Sequence, residues 1–159
     1  MDFSVIVDTR EQRPLRFKDV NVIHRALKSG DYSIQGPDGE SFEDRISIER
    51  KSLDDLLSSI THRREYFDAN MERLLKLRSR ALLVECLPNH LERGAWFPKV
   101  HPNSVIGTLF KWKMRGVPVI YAVNQEQASK YVLWFLRLFW ERKDEFNGLP
   151  QERIEWTEK

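Results

Sequence analysis

The chain has 159 residues, with 26 Lys and Arg against 24 Asp and Glu, a formal net charge of +2, and 41% hydrophobic residues. That length and balance suit one folded domain with its own core and exclude a disordered or fibrous chain. A total charge so close to neutral does not by itself point to nucleic acid; only the distribution of charge could.

The amino-terminal Met1-Asp2-Phe3 lacks the basic-then-apolar order of a secretory signal. Residues 3–8 read as a short buried strand ending in an acid, Asp8. Residues 20–28 are expected to form a short helix stopped by Ser29-Gly30. Residues 31–35 and 45–50, joined through Gly36-Pro37-Asp38-Gly39, read as a β-hairpin. Ser52 followed by Asp55 has capping-box spacing, with Asp in place of Glu or Gln, and opens a helix toward Ile60. Residues 65–77 form an amphipathic helix with Phe67, Met71, Leu74 and Leu75 on its apolar side. The apolar run 81–87 ends at Pro88 and suits a central strand, and its Cys86 reads as a buried inert thiol. A helix capped by Asn103 or Ser104 carries Val105, Ile106, Leu109 and Phe110, ends at Gly116, and leads to a strand over 117–123.

The last helix, 125–146, is apolar nearly all round, since between Tyr131 and Trp140 only Arg137 is polar. Such a helix needs cover on two sides, one by the sheet and the other by a second subunit, so a homodimer or heterodimer through this helix is expected, with a deep core position the competing reading. Its apolar run 131–136 is too short to span a bilayer, and a soluble intracellular protein without membrane contact is expected, in a prokaryotic or infected cell or in a nucleus. Strands interleaved with helices give an α/β domain with a mixed central sheet flanked by helices, read as a single domain over 1–159.

The chemistry is concentrated in Gly30-Asp31-Tyr32 and, after the hairpin turn, Ile48-Glu49-Arg50-Lys51. Residues two apart on a strand point the same way, so Glu49 and Lys51 share a face, and Asp31 at the start of the neighbouring strand can reach the same spot. Two carboxylates and an ammonium around a small volume suit phosphodiester hydrolysis with Mg2+ or Mn2+: carboxylate oxygens hold such an ion, which polarises the phosphate and acidifies water. The lysine orients the attacking water or offsets transition-state charge. Asp8 is a further candidate for a catalytic or metal contact, with Arg10 and Glu11 bracing the site. As ordinary surface charges these residues would mean nothing, because an acid-x-lysine pair on a strand is common.

In combination they resemble a known family. Gly30-Asp31, then Glu49-Arg50-Lys51, then three residues and Asp55, is similar to the signature of the XPF-type structure-specific endonucleases. Val7-Asp8-Thr9-Arg10-Glu11 resembles that family's opening block, and Leu53, Asp55, Leu56, Ser59, Ile60, Arg64 and the strand Leu82-Leu83-Val84-Glu85 continue the resemblance, which covers about residues 3–87. It implies a restriction-endonuclease-like fold, dependence on Mg2+ or Mn2+, and cutting of branched, flapped or forked DNA in repair and recombination. It also implies Asp31, Glu49 and the backbone carbonyl of Arg50 as metal ligands, Lys51 as the catalytic lysine, and Asp8, Arg10, Glu11, Asp55 and Arg64 as a supporting set. Members of that family usually continue into a tandem helix-hairpin-helix module, and no such pair follows Phe146, so DNA grip is expected from another chain or to be weaker. Two readings compete: a non-catalytic DNA-binding or scaffold subunit, against which the intact Asp31, Glu49 and Lys51 count, and a resolvase- or restriction-like nuclease acting on other DNA.

Charge distribution supplies candidate DNA contacts. Residues 62–80 hold five Arg and one Lys against three acids, including Arg63 and Arg64, and no acid occurs from Arg93 through Gln125. Lys111-Trp112-Lys113-Met114-Arg115 interleaves an aromatic with three cations and is a candidate for phosphate contact plus base stacking, with Trp112 as a core residue the competing reading. Ala95-Trp96-Phe97-Pro98 is a second candidate for unstacked bases, with a packed loop the preferred reading. The four histidines, His24, His62, His90 and His101, are dispersed, without zinc-like spacing.

Overall fold

A computed structural model describes residues 2–94 and 100–147. Its centre is a six-stranded mixed sheet of β1 (Ser4–Val7), β2 (Asn21–His24), β3 (Tyr32–Gln35), β4 (Ile46–Ser52), β5 (Ser79–Glu85) and β6 (Val119–Tyr121), in the order β2-β1-β3-β4-β5-β6. β3 runs antiparallel to both β1 and β4, and the pairs β1–β2, β4–β5 and β5–β6 are parallel. This is the expected α/β architecture.

The helices divide between the two faces. Against one face lies α5 (Gln125–Glu141), whose Ala128, Val132, Leu136 and Phe139 meet Val5, Val7, Ile34, Ile46, Ile48, Ala81 and Leu83. Against the other pack α1 (Leu53–Thr61), α2 (Arg64–Leu75) and α4 (Pro102–Met114), whose Leu56, Leu57, Phe67, Met71, Leu74, Leu109 and Trp112 meet Leu82 and Val84. β5 sends alternate residues into both cores, Ala81 and Leu83 to one and Leu82 and Val84 to the other, which explains why 81–84 is unbroken apolar sequence. β4 differs: Ile46 and Ile48 enter the α5-side core, while Ser47, Glu49 and Lys51 alternate toward the other face. Half of an interior strand is therefore polar, and at its end Glu49 and Lys51 line a cleft.

Local structure departs from the sequence expectations at several places. Residues 20–28 contain no helix; Asn21–His24 form β2, an edge strand parallel to β1. Its β-branched Val22 and Ile23 suit extended backbone, and the open edge of β1 supplies partners that a short isolated helix would lack. The α1 cap is as expected: Ser52 Oγ accepts from Asp55 N at 3.1 Å. α4 instead takes His101 as its cap, with Nδ1 accepting from Asn103 N at 3.2 Å and Pro102 in the first turn, where a missing N–H costs nothing. A short α3 (Pro88–Arg93), ended by Gly94 at φ 65°, was not anticipated. The last helix breaks at Arg142, and α6 (Lys143–Asn147) follows. The strand expected over 117–123 is trimmed to Val119–Tyr121. Ala95-Trp96-Phe97-Pro98 lies outside the described residues.

Candidate active site

The Gly30-Asp31 step fixes the site. Gly30 has φ +70°, and a Cβ there would meet Ser47 Oγ at 2.2 Å and the Ile48 carbonyl oxygen at 2.9 Å, so neither the backbone angle nor the space admits a side chain. The chain presses against β4 and presents Asp31. Asp31 N donates to the Ile48 carbonyl at 2.8 Å, and the Asp31 carbonyl accepts from Asp8 N at 2.8 Å, tying the ends of β1, β3 and β4 together.

β3 has run out at this level, so the Arg50 amide on β4 has no strand partner there. Asp31 Oδ2 takes its place, accepting from Arg50 N at 2.7 Å. In an extended strand the N–H and C=O of one residue point to the same side, which puts the Arg50 carbonyl on the Asp31 side as well. Glu49 is 5% exposed, and its Oε1 lies 2.8 Å from Lys51 Nζ. The structure thus brings Asp31, Glu49, the Arg50 backbone and Lys51 to one end of the sheet.

The electrostatics follow from crowding. Burial and the neighbouring Glu49 charge push the Asp31 carboxyl well above the usual carboxylate range, against the Arg50 N–H and Lys51 that favour its charged form. Burial alone would lower the Lys51 ammonium, but the charge and hydrogen bond of Glu49 outweigh it and hold it above its ordinary value. Lys51 is therefore a cation and a donor at neutral pH, not a base.

Two carboxylates beside one ammonium leave the spot deficient in positive charge, and their hard oxygens are the donors that Mg2+ or Mn2+ prefers. Among the described residues no group of three or more His, Cys, Asp or Glu forms a ready-made metal cage. An ion held by Asp31 and Glu49 would complete its shell with the Arg50 carbonyl, water and substrate, the sparse protein ligation that suits Mg2+. The donor set fits.

Asp8, Glu11 and Asp55 lie around this centre. Asp8 is 2% exposed, and its two oxygens accept four hydrogen bonds: from Arg10 N, Nε and a terminal guanidinium nitrogen at 2.7–2.8 Å, and from Leu27 N at 2.7 Å. Burial raises its pKa, but these donors lower it further, and the carboxylate has no lone pair left for an ion. Glu11 lies 3.4 Å from the Arg50 guanidinium. Asp55 lines the cleft and accepts from Ser52 Oγ at 2.6 Å.

Arg50 itself reveals a residue that sequence reasoning left out of the site. Its guanidinium bonds Glu85 at 2.6 Å and the Arg13 carbonyl at 2.7 Å, in addition to Glu11. Glu85, at the end of β5, anchors the side chain of the residue whose backbone faces Asp31; its sequence signals were its place in the block Leu82-Leu83-Val84-Glu85 and an acid directly after the apolar residues 81–84.

The cleft over these residues has a volume of about 350 Å³ and is walled by one face of α2, with Arg63, Tyr66, Asn70 and Arg73 lining it. Of the expected DNA contacts, Arg63 lines this cleft. Arg64 turns away to hydrogen-bond Thr108 Oγ1 at 2.9 Å and pair with Asp68 at 3.8 Å, bracing α2 to α4. The α4 cations lie behind α2: Lys111 pairs with Asp68 at 3.5 Å, Arg115 pairs with Glu72, and Lys113 sits over the Phe110 and Tyr121 rings. Trp112 is not a stacking platform. It is fully buried, edge-on to Phe67 with ring centroids 6.5 Å apart, because the apolar stripe of α4 points at the sheet. Tyr66, Asn70 and Arg73 were missed, although their 3-and-4 spacing from Arg63 on an amphipathic helix was a readable signal.

A mixed sheet with two carboxylates and a lysine gathered at the end of its central strands, beneath an open polar cleft, defines a nuclease-type domain. Residues 7–134 match the ERCC4 domain, and the chain belongs to that family, the XPF-type nucleases. Two solved structures share the fold: XPF from Aeropyrum pernix, with a TM-score of 0.67 and 21% identity over 91% of this chain and 68% of that one, and the same protein in complex with DNA, with a TM-score of 0.63 and 22% identity over 87% and 65%. A protein of Methanocaldococcus jannaschii named as an ATP-dependent RNA helicase is 26% identical over 133 residues, 82% of this chain. The chain spans 15% of the length of that relative. No helix among the described residues is long and apolar enough to cross a membrane.

Proposed function

We propose that this protein is a Mg2+- or Mn2+-dependent DNA endonuclease acting at branched, flapped or forked DNA, with Asp31, Glu49 and the Arg50 carbonyl holding the ion and Lys51 serving the attack on the phosphodiester. The observation that carries the reading is the Asp31–Arg50 hydrogen bond beside the Glu49–Lys51 pair, because it delivers two carboxylates, a backbone carbonyl and a fixed ammonium to one point. When bound, the ion supplies Lewis-acid polarisation of the phosphate and lowers the pKa of water. Lys51, held cationic by Glu49, donates a hydrogen bond that orients the attacking water and offsets charge on the pentacovalent transition state. Asp8 and Arg10 position the loop behind Asp31, while Glu11 and Glu85 position Arg50; none of these need touch substrate. Preference for a branched substrate rests on the family and on the open cleft. Pairing of two copies rests on α5, whose Trp134 and Leu138 are 56% and 57% exposed while its opposite side fills a core.

The test is cleavage of labelled flap, fork, four-way-junction and plain duplex DNA in Mg2+, Mn2+ or EDTA, beside Asp31→Ala and Lys51→Ala. Metal-dependent cutting that both substitutions abolish, stronger on the branched substrates, is the expected result. Equal cutting of plain duplex would move the protein toward a restriction-like nuclease. No cutting in any metal, with DNA still bound, would make it a binding subunit.

A further inference from the structure

The wall of the cleft carries a feature that phosphodiester chemistry does not use. Arg63, the N-cap of α2, and Tyr66, Asn70 and Arg73 within the helix follow one another at spacings of 3, 4 and 3, so they share one stripe, and the adjoining stripe buries Phe67, Met71 and Leu74. Tyr66 is the large apolar side chain of that stripe and is 52% exposed. The Arg63 guanidinium lies over its ring at 5.3 Å, and Arg10 lines the same cleft. Asn70 and Arg73 bond each other one turn further along. The helix rises about 1.5 Å per residue, so the two end arginines stand about 15 Å apart along the axis, room for two or three nucleotides of a single strand. An exposed aromatic ring between cations, beside the residues that meet a phosphodiester, is the combination that grips unpaired nucleotides: cations take phosphates and the ring takes a base.

We infer that α2 is a single-strand rail on which Tyr66 stacks an unpaired base next to the scissile phosphate, while Arg63 and Arg73 hold the flanking phosphates. The inference rests on the cleft being a DNA site, as proposed above, and assigns to Tyr66 a positioning role in choosing where along a strand the cut falls. A paired base keeps its own stacking neighbours and has no face to offer, so the rail favours a strand that has left the duplex. Sequence preference is not expected, since every base has a π-face.

The test is binding by fluorescence anisotropy in Mg2+, using the Lys51→Met protein to suppress cutting. The probes are a labelled oligothymidine of about 12 nucleotides, within the span one such channel covers, and its counterpart with abasic sites. The expected result is tighter binding of the strand with bases. Tyr66→Ala should weaken it about tenfold, the size of one lost base–aromatic stack, and bring the two strands to equal affinity, while Tyr66→Phe keeps the difference. Arg63→Gln and Arg73→Gln should weaken both strands alike and each lower the salt slope by about one. Equal affinity for the two strands in the parent protein, no binding of either, or a Tyr66→Ala protein that still discriminates, would overturn the inference. Unchanged thermal melting of Tyr66→Ala separates lost stacking from lost fold. Stacking without cleavage by the wild type would sink the proposed activity alone; cleavage without stacking would sink the rail alone.

Discussion

Replacing Asp31 by Asn should abolish cutting and yet make the protein more stable in EDTA. Without a metal, ionising Asp31 is costly, because its carboxyl is buried beside Glu49 with Lys51 as the nearby cation. Asn keeps the shape and still accepts the Arg50 N–H, now 2.7 Å from Asp31 Oδ2, so the substitution removes repulsion without orphaning a donor. Relief of this kind commonly amounts to about 0.5–2 kcal/mol, which in a chain of this size raises Tm by about 1–8 °C. The sign can be checked against pH. The folded state raises the Asp31 pKa above its ordinary value of 3.8, so the wild type loses stability as pH rises through that value toward the folded one. The Asn variant loses none there, and the gap between the two proteins should open above about pH 4 and be absent below it. Differential scanning calorimetry in EDTA across that range measures this directly. Adding Mg2+ should then close the gap from the other side, stabilising the wild type by about 1.4 kcal/mol at ten times its dissociation constant and leaving the variant unmoved. A variant that melts at or below the wild type at neutral pH in EDTA would refute the account of a strained acidic pair.

Glu85→Ala removes one of three partners of a guanidinium that is 6% exposed, and should cost about 2–3 kcal/mol, read as a lower urea midpoint, with a loss of cleavage beyond what stability explains. Asp8→Asn should flatten the acid limb of the stability curve: the depressed Asp8 pKa contributes stability above its unfolded value that is lost as pH falls, so the wild type and variant should converge in acid unfolding followed by circular dichroism. Trp112→Ala should cost about 3–5 kcal/mol as a core truncation and leave the DNA affinity of the remaining folded protein unchanged in anisotropy. Leu138→Glu, on the exposed side of α5, should leave Tm within about 1 °C while lowering the mass seen in sedimentation equilibrium; an unchanged mass would remove α5 as the dimer surface.

What the sequence by itself determined was whatever depends on neighbours along the chain. Period-two alternation put Glu49 and Lys51 on one face of β4, the Ser52–Asp55 spacing started α1, and the apolar run at β5 announced a central strand. Spacing could equally place Asp31 near that pair, because a hairpin joins them. The tertiary structure decided everything that depends on which surface meets which. Residues 20–28 became strand because the edge of β1 was open to them, a fact no local propensity contains. Trp112 went inward because the apolar side of α4 lies on the sheet, although its flanking cations made it look like a binding residue. Arg64 and Arg63 are adjacent in sequence, yet a turn of helix sends the first to brace α4 and the second to the cleft. Asp8 matched the same opening block as Arg10 and Glu11, and only the hydrogen bonds converging on it from Arg10 and Leu27 show that its oxygens are already taken. A carboxylate's chemistry is set by how many donors surround it, and that number is a property of the packed chain.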